Sequence, residues 1–348
     1  MLPLVHSPAK QRIAGFRDIA SEYTPSPVSP PEVQDAMIGA TIAGRYVVQA
    51  RIGVGGMAVV YRAQQLAVDR PVAVKVLHPG REPDAASVEG LCAEARAMGR
   101  IRHANVVTIY DFGVSDDGLP FIAMELIEGE TLARRISRGP LPLHEALGVA
   151  QQLAHALEGV HEAGFVHRDV KPHNVMLGPV GDRDPAGQET VRLLDFGIVD
   201  PIVAHPRPED APPILGTPEY CAPEQATGGR MDHRGDLYAL GVILFEMLAG
   251  RCPFTSVSAT RVLEMQVFSS PPRLSSVCAP DAVPHHVEAL VAHLLAKSPD
   301  ERPQTARAVS DALDDLYKLT PVPGIEPRGY SFAPHPPSTV KSSAVAGS

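Results

Sequence analysis

Cysteine is scarce in this 348-residue chain, and the four present are not placed for chemistry. Cys92, Cys221, Cys252 and Cys278 form no CxxC or Cys/His pairing, which excludes a zinc finger and a thiol-exchange centre and fits free thiols in a reducing compartment. The fourteen histidines contain no HExxH pattern, and the His285-His286 doublet follows a proline in an expected loop. An excess of basic charge is also missing: the formal net charge is -9, so no global field draws in nucleic acid or an anionic membrane, and any recognition of phosphate has to be local. Long apolar runs are lacking as well. The most apolar, Leu237 to Ala249, contains Glu246 and falls short of the roughly 18 to 20 residues that span a bilayer. Pro3, Pro8, Pro25 and Pro27 break any signal-peptide pattern at the N-terminus. These absences predict a soluble cytoplasmic protein that binds neither nucleic acid nor membrane.

What is present divides by texture. Residues 1–43 are rich in proline, serine and small residues, a composition that resists a packed core, and read as a disordered arm; residues 317–348 repeat the signature as a tail. Between them, short β-branched runs dominate up to Glu125: Tyr46 to Val48, Val59 to Tyr61, Val72 to Leu77, Val106 to Tyr110 and Phe121 to Met124. They predict an antiparallel sheet, interrupted by one helix near Ala85 to Arg100 with Leu91, Ala95 and Met98 on one face. From Leu132 onward helical periods take over, including Ala146 to Ala163, Asp236 to Leu248 and Pro284 to Ala296.

Three motifs carry chemistry. The first, Ile52, Gly53, Val54, Gly55, Gly56, Met57, Ala58, Val59 and Val60, lies between two predicted strands, where glycines let a hairpin backbone close over phosphates and offer N–H donors. Because a strand and not a helix follows, a dinucleotide-binding turn is disfavoured. In the second, Val72-Ala73-Val74-Lys75, an ammonium is set in an apolar alternating strand, and a buried lone charge costs several kcal/mol unless something pairs it. Glu94 on the following helix is the expected partner, with nucleotide phosphates as a second ligand; an edge-strand lysine facing solvent is the alternative. The third is His167-Arg168-Asp169-Val170-Lys171-Pro172-His173-Asn174, followed by Asp195-Phe196-Gly197. Two carboxylates, an amide and a lysine recur here as phosphoryl transfer requires, with a base for a hydroxyl and oxygen ligands for hard cations. In that assignment Asp169 deprotonates the substrate hydroxyl, Lys171 neutralises charge on the γ-phosphate, and Asn174 and Asp195 hold magnesium.

With these motifs in order, residues 46–316 resemble a eukaryotic-like protein kinase domain of the bacterial serine/threonine type. The resemblance implies an α+β bilobal protein kinase fold, with an antiparallel β-sheet N-lobe (46–125) carrying one main helix and a mostly helical C-lobe (126–316). It further implies ATP and Mg2+, with Mn2+ as a substitute, and protein substrates bearing serine or threonine alongside phosphopeptide-binding or regulatory partners. By the same resemblance Val60 and Ala73 roof the adenine, Met176 floors it, Met124 is the gatekeeper, and Glu125 and Ile127 offer backbone groups of the hinge. Met98, His167 and Phe196 would stack as a spine; Glu224 would pair with Arg302, and Asp236 would tie the catalytic loop to a central helix. Ala58 departs from the usual third glycine of the first motif. A larger departure is the stretch 198–215, which has no serine, threonine or tyrosine but five prolines, so a carboxylate of Glu209 or Asp210 is the expected partner of Arg168 in place of a loop phosphate, with a solvated acidic loop as the alternative. Two other functions stay open: a scaffold that binds nucleotide without transferring phosphate, and a small-molecule phosphotransferase.

Overall fold

The computed structural model describes residues 35–55, 58–77, 88, 91–92, 95–96, 99–115, 117–179, 189–195, 200–201 and 217–319. Its N-terminal part is a six-stranded antiparallel sheet built from β1 (Thr41–Ile42), β2 (Tyr46–Val54), β3 (Ala58–Gln65), β4 (Arg70–Leu77), β5 (Ile109–Val114) and β6 (Pro120–Glu125), in the order β1-β2-β3-β4-β6-β5. Period-2 alternation divides its side chains between two cores. Val72, Val74 and Val76 of β4 join Tyr46, Tyr61 and Phe121 on one face. Ala73 and Leu77 join Ile122 and Met124 on the other, in a cluster that continues into the helical part. Lys75 shares parity with Ala73 and Leu77, and the pleat alone therefore turns it toward the cleft between the lobes.

Two sequence expectations shift in this region. Residues 35–43, placed in the arm by composition, are fastened to the sheet: Asp35 accepts from the Tyr61 hydroxyl at 3.2 Å, and Ile42, 2% exposed, pairs with Tyr46. Burial and then the Asp35 charge push the Tyr61 phenol up to about 12. The strand expected over Val106 to Tyr110 begins later, at Ile109, because Val106 and Val107 are drawn into the core beside the C-lobe. Val107 N–H donates to the Leu193 carbonyl at 3.0 Å, and Leu193 N–H to the Asn105 carbonyl at 2.8 Å. Of the helix expected near Ala85 to Arg100, the described residues Val88, Leu91, Cys92, Ala95 and Arg96 are helical, with Leu91 and Ala95 buried; Met98 lies outside the described residues.

The C-terminal part is mostly helical. It comprises α1 (Leu132–Ile136), α2 (Leu143–Glu162), α3 (Pro223–Ala226), α4 (Arg234–Ala249), α5 (Ala259–Phe268), α6 (His285–Leu294) and α7 (Ala306–Leu319). Short strands β7 (Glu130–Thr131), β9 (Val175–Gly178) and β10 (Thr190–Leu193) form a second sheet, and β8 (Phe165–Val166) pairs with β11 (Asp200–Pro201). Helix α4, the apolar run noted above, is buried almost all round, which marks a helix at the centre of a globule. Gly241 on α4 admits close packing of α6, since a β-carbon there would sit 2.6 Å from that of Leu294. Gly250 ends the helix in the left-handed region, φ 70°, with its N–H on the Glu246 carbonyl. Among the described residues no helix is long and apolar enough to cross a membrane.

One ion pair locks the lower half. The Arg302 side chain is fully buried and uses all five N–H donors: two on the Glu224 carboxylate at 2.7 Å each, and three on the carbonyls of Ala296, Arg234 and Lys297. The Glu224–Arg302 pairing implied by the resemblance is therefore present. Removing one partner of such a pair strands a buried charge, at a cost of about 3–5 kcal/mol. Glu224→Gln is predicted to lower Tm by on the order of 10 °C, and a thermal melt within 2–3 °C of the parent would refute this.

Candidate active site

Each lobe contributes to one constellation in the cleft. From β4, Lys75 extends its ammonium to Asp195 Oδ1 at 3.1 Å, joining the N-lobe sheet to the segment after β10. Lys75 is thus largely buried and paired, and the solvent-facing alternative is excluded. Glu94, the partner expected from sequence, lies outside the described residues. The turn Pro172–Asn174 between β8 and β9 supplies the rest. Lys171 Nζ lies 2.7 Å from Asp169 Oδ2, and the Asn174 amide donates to the same oxygen at 3.0 Å and to the Asp169 carbonyl at 2.9 Å. A longer contact, 3.4 Å, runs from that amide to the Asp195 carbonyl. Both of these side chains meet Asp169 at Oδ2. Asn174 with Asp195 offers hard oxygen donors suited to a divalent cation with further oxygens from a phosphate. No group of three metal-ligating side chains exists among the described residues.

Beneath this constellation lies Asp236 at the start of α4, fully buried. Its carboxylate accepts three hydrogen bonds, each 2.8 Å: from His167 N–H, Arg168 N–H and His161 Nε2. Burial alone would push its pKa up, but the His161 hydrogen bond, the nearby imidazoles and the backbone donor hold it below the usual carboxylate range. Arg168 takes φ 67° and Asp195 φ 25°, both rare for side-chain-bearing residues and tolerated here where partners on either side dictate the path.

His167 extends the order upward. It is fully buried; burial lowers its pKa, against the attraction of Asp236. Nε2 lies 3.0 Å from the Leu194 carbonyl, so it carries the proton, while Nδ1 accepts from Asp169 N–H at 3.3 Å. The neutral imidazole therefore bridges the residues just before Asp195 to the backbone of Asp169. Sequence reading gave His167 only a packing role. His161, on the last turn of α2, was missed altogether, since a lone histidine on an apolar helix carries no local signal.

The residues expected from sequence to face a nucleotide fall where the register sends them. In the β2–β3 hairpin Gly53 pairs with Val60 and Val54 with Val59, Gly55 N–H closes on the Ala58 carbonyl at 2.8 Å, and Ile52 and Val54 are exposed. Gly56 and Met57 lie outside the described residues. Val60 is the register partner of Lys75, and Ala73 of Met124, so these four residues stand on three adjacent strands. Ala73 and Met124 are buried, with Val60 and Ile127 packed against the same cluster; Met176 on β9 pairs with Thr131 below. Glu125 N–H is taken by the Thr108 carbonyl at 2.9 Å, so that N–H, among the backbone groups expected from sequence to serve the hinge, is already engaged. Gly129, φ 148°, is required just beyond the hinge because a β-carbon would run into the Leu177 carbonyl. Phe196, Glu209 and Asp210 lie outside the described residues, and the expected docking of Arg168 falls with them.

Asp236 generates a stability prediction with a defined sign. Its folded pKa lies below the unfolded value, so its contribution is complete above the unfolded carboxylate pKa, about 3.9, and is lost as pH falls through the folded value. Asp236→Asn is predicted to cost about 3 kcal/mol near neutral pH and to flatten the acid limb of the Tm–pH curve; a parallel limb at unchanged Tm would refute it.

Comparison with known proteins agrees with this geometry. The family model described as the protein kinase domain matches residues 46–313. The serine/threonine-protein kinase pkn3 of Myxococcus xanthus is 39% identical over 289 residues, covering 82% of this chain and 52% of that protein. PknL of Mycobacterium tuberculosis is 38% identical over 291 residues, covering 83% of this chain and 70% of its own length. The chain thus spans about half the length of the Myxococcus relative. Among solved structures, the PknI kinase domain of Mycobacterium tuberculosis superposes with a TM-score of 0.60 at 28% identity, over 80% of this chain and 98% of that one. By the family match and by its curated relatives, this chain belongs to the protein kinase domain family.

Proposed function

We propose that the protein is a serine/threonine protein kinase that transfers the γ-phosphate of ATP to hydroxyls of protein substrates. The observation that carries this reading is the convergence of Lys75, Asp169, Lys171, Asn174 and Asp195 within hydrogen-bonding or ion-pair distance of one another. The β2–β3 hairpin, Ile52 to Val60, covers the nucleotide with its N–H groups; Val60, Ala73, Met124 and Met176 enclose the adenine, and Glu125 and Ile127 meet its edge. Lys75 neutralises the α- and β-phosphates, with Glu94 assigned as its further support. Asp169 accepts the proton of the substrate hydroxyl as that oxygen bonds to the γ-phosphorus and the bond to the β–γ bridging oxygen breaks, releasing ADP. Lys171, already on the Asp169 carboxylate, offsets charge on the transferring group. Asn174 and Asp195 would hold Mg2+, or Mn2+ in its place, which when bound would supply positive charge to offset that of the phosphates. Lys171, two residues after Asp169, and Thr217 favour serine and threonine over tyrosine as acceptors. Regulatory and phosphopeptide-binding partners are assigned to the Pro/Ser-rich arm and tail read from the sequence at either end, and the setting to the cytoplasm.

Incubation with γ-labelled ATP, Mg2+ and a generic basic protein tests the reading. Asp169→Asn is predicted to lower kcat by about 10²–10⁴-fold. Wild-type labelling no higher than that of Asp169→Asn would instead favour a nucleotide-binding scaffold. Because the 198–215 stretch has no hydroxyl to phosphorylate, the rate is further predicted to stay within about twofold after phosphatase treatment; a tenfold fall would place an activating phosphate elsewhere in the chain.

A further inference from the structure

Residues 217–221, from Thr217 through the short turn Pro218–Tyr220 to Cys221, lie beside the catalytic turn: the Gln225 amide just beyond them donates to the Arg168 carbonyl at 3.3 Å, one residue from Asp169. What supports this stretch from below is a polar side chain where packing alone would place leucine. Gln266, on α5, is 0% exposed. Its Nε2 donates to two consecutive carbonyls, Pro218 at 3.2 Å and Glu219 at 2.5 Å, while its Oε1 accepts from the Tyr238 hydroxyl at 2.5 Å. Three of the four hydrogen-bonding positions of the amide are filled by groups from two different elements.

Lys297 braces the other side. Its ammonium donates to the Gln266 main-chain carbonyl at 2.7 Å and to the Tyr238 hydroxyl at 3.2 Å, and lies 4.4 Å over the Phe254 ring. No carboxylate pairs with it among the described residues, and burial followed by repulsion from Arg302 lowers its pKa to about 8. A half-buried cation without a counter-ion is an expensive way to fill space. Its two acceptors belong to Gln266 and to the tyrosine that holds Gln266, so the lysine sets the orientation of that amide. Cation, phenol and amide form one chain that ends on the Pro218 and Glu219 carbonyls.

We propose that Gln266, braced by Tyr238 and Lys297, is a positioning residue for the polypeptide substrate, clamping the Pro218–Glu219 carbonyls so that residues 217–221 present the acceptor segment at the height of Asp169. This deepens the kinase reading and rests on it. Two donors on neighbouring carbonyls fix the tilt of the turn as well as its distance, whereas an apolar residue at 266 would fix neither. Tyr220 is held at its far end by a separate bond from its hydroxyl to Glu246, so the clamp acts on the main chain and not on that side chain.

Steady-state kinetics with a serine peptide, together with amide hydrogen exchange over 217–222, test the inference. Gln266→Met keeps the length and loses both donors; Gln266→Glu keeps the shape and the Tyr238 bond and also loses both donors. Each is expected to raise the peptide KM by about tenfold while the ATP KM moves by under about twofold, and to speed exchange at the Tyr220 and Cys221 amides. Lys297→Met should shift the same quantities in the same direction by less, and Lys297→Arg should restore most of the loss. A peptide KM unchanged in both Gln266 variants, or peptide and ATP KM rising in parallel, would overturn the proposal, as would unchanged exchange in the variant that folds. Absence of transfer by the wild-type protein would remove the kinase reading itself, a result distinct from unchanged exchange, which removes the clamp.

Discussion

A single carboxylate without access to water organises the catalytic half of this molecule. Asp236 begins the most buried helix of the fold, and its oxygens take the main-chain N–H groups of His167 and Arg168, fixing the path of the loop that carries Asp169. The strain of a left-handed Arg168 persists because those bonds leave the backbone no other course. From there His167 passes the order on in its neutral form, one nitrogen to the Leu194 carbonyl and the other to the Asp169 amide. The position of Asp195 relative to Asp169 is therefore inherited from a residue that touches neither substrate nor nucleotide.

Charge in the cleft is arranged in pairs. Lys75 with Asp195 and Lys171 with Asp169 are partly shielded from solvent, at 3.1 and 2.7 Å, so each lysine is held in place by a carboxylate. The Glu224–Arg302 bridge serves a different purpose. It fixes the floor on which residues 217–221 rest, and through the Lys297 carbonyl and the Tyr238 ring it borders the Gln266 clamp. The loop that carries Asp169 and the stretch 217–221 are thus both tied to α4, one through Asp236 and the other through Tyr238, two residues apart on the same helix.

Much of the site was legible because its chemistry is local in sequence. Asp169, Lys171 and Asn174 fall within six positions, so a spacing read along the chain already grouped the side chains that meet in the cleft. The alternation of β4 likewise showed Lys75 on the same parity as Ala73 and Leu77. Other features were not legible. Composition placed residues 35–43 in an arm, yet the Tyr61 hydroxyl and the edge of β2 hold them to the sheet. Periodicity began a strand at Val106, yet a bond to Leu193 across the lobes drew Val106 and Val107 into the core. In each case a tertiary partner outweighed a local preference of a few tenths of a kcal/mol per residue.

From the sequence alone came the two-lobed organisation, the order of the motifs and the set of polar residues that converge in the cleft, since strand and helix periods and the spacing of a turn are properties of neighbours along the chain. Only the tertiary structure decided which buried polar groups satisfy one another: His161 with Asp236, Gln266 with Pro218 and Glu219, Lys297 with Gln266 and Tyr238. Those partners stand some 30 to 75 residues apart in the chain, and no local pattern announces them. Their pairing follows from the need of every buried donor and acceptor to be met, and that need acts only once the helices have closed around them.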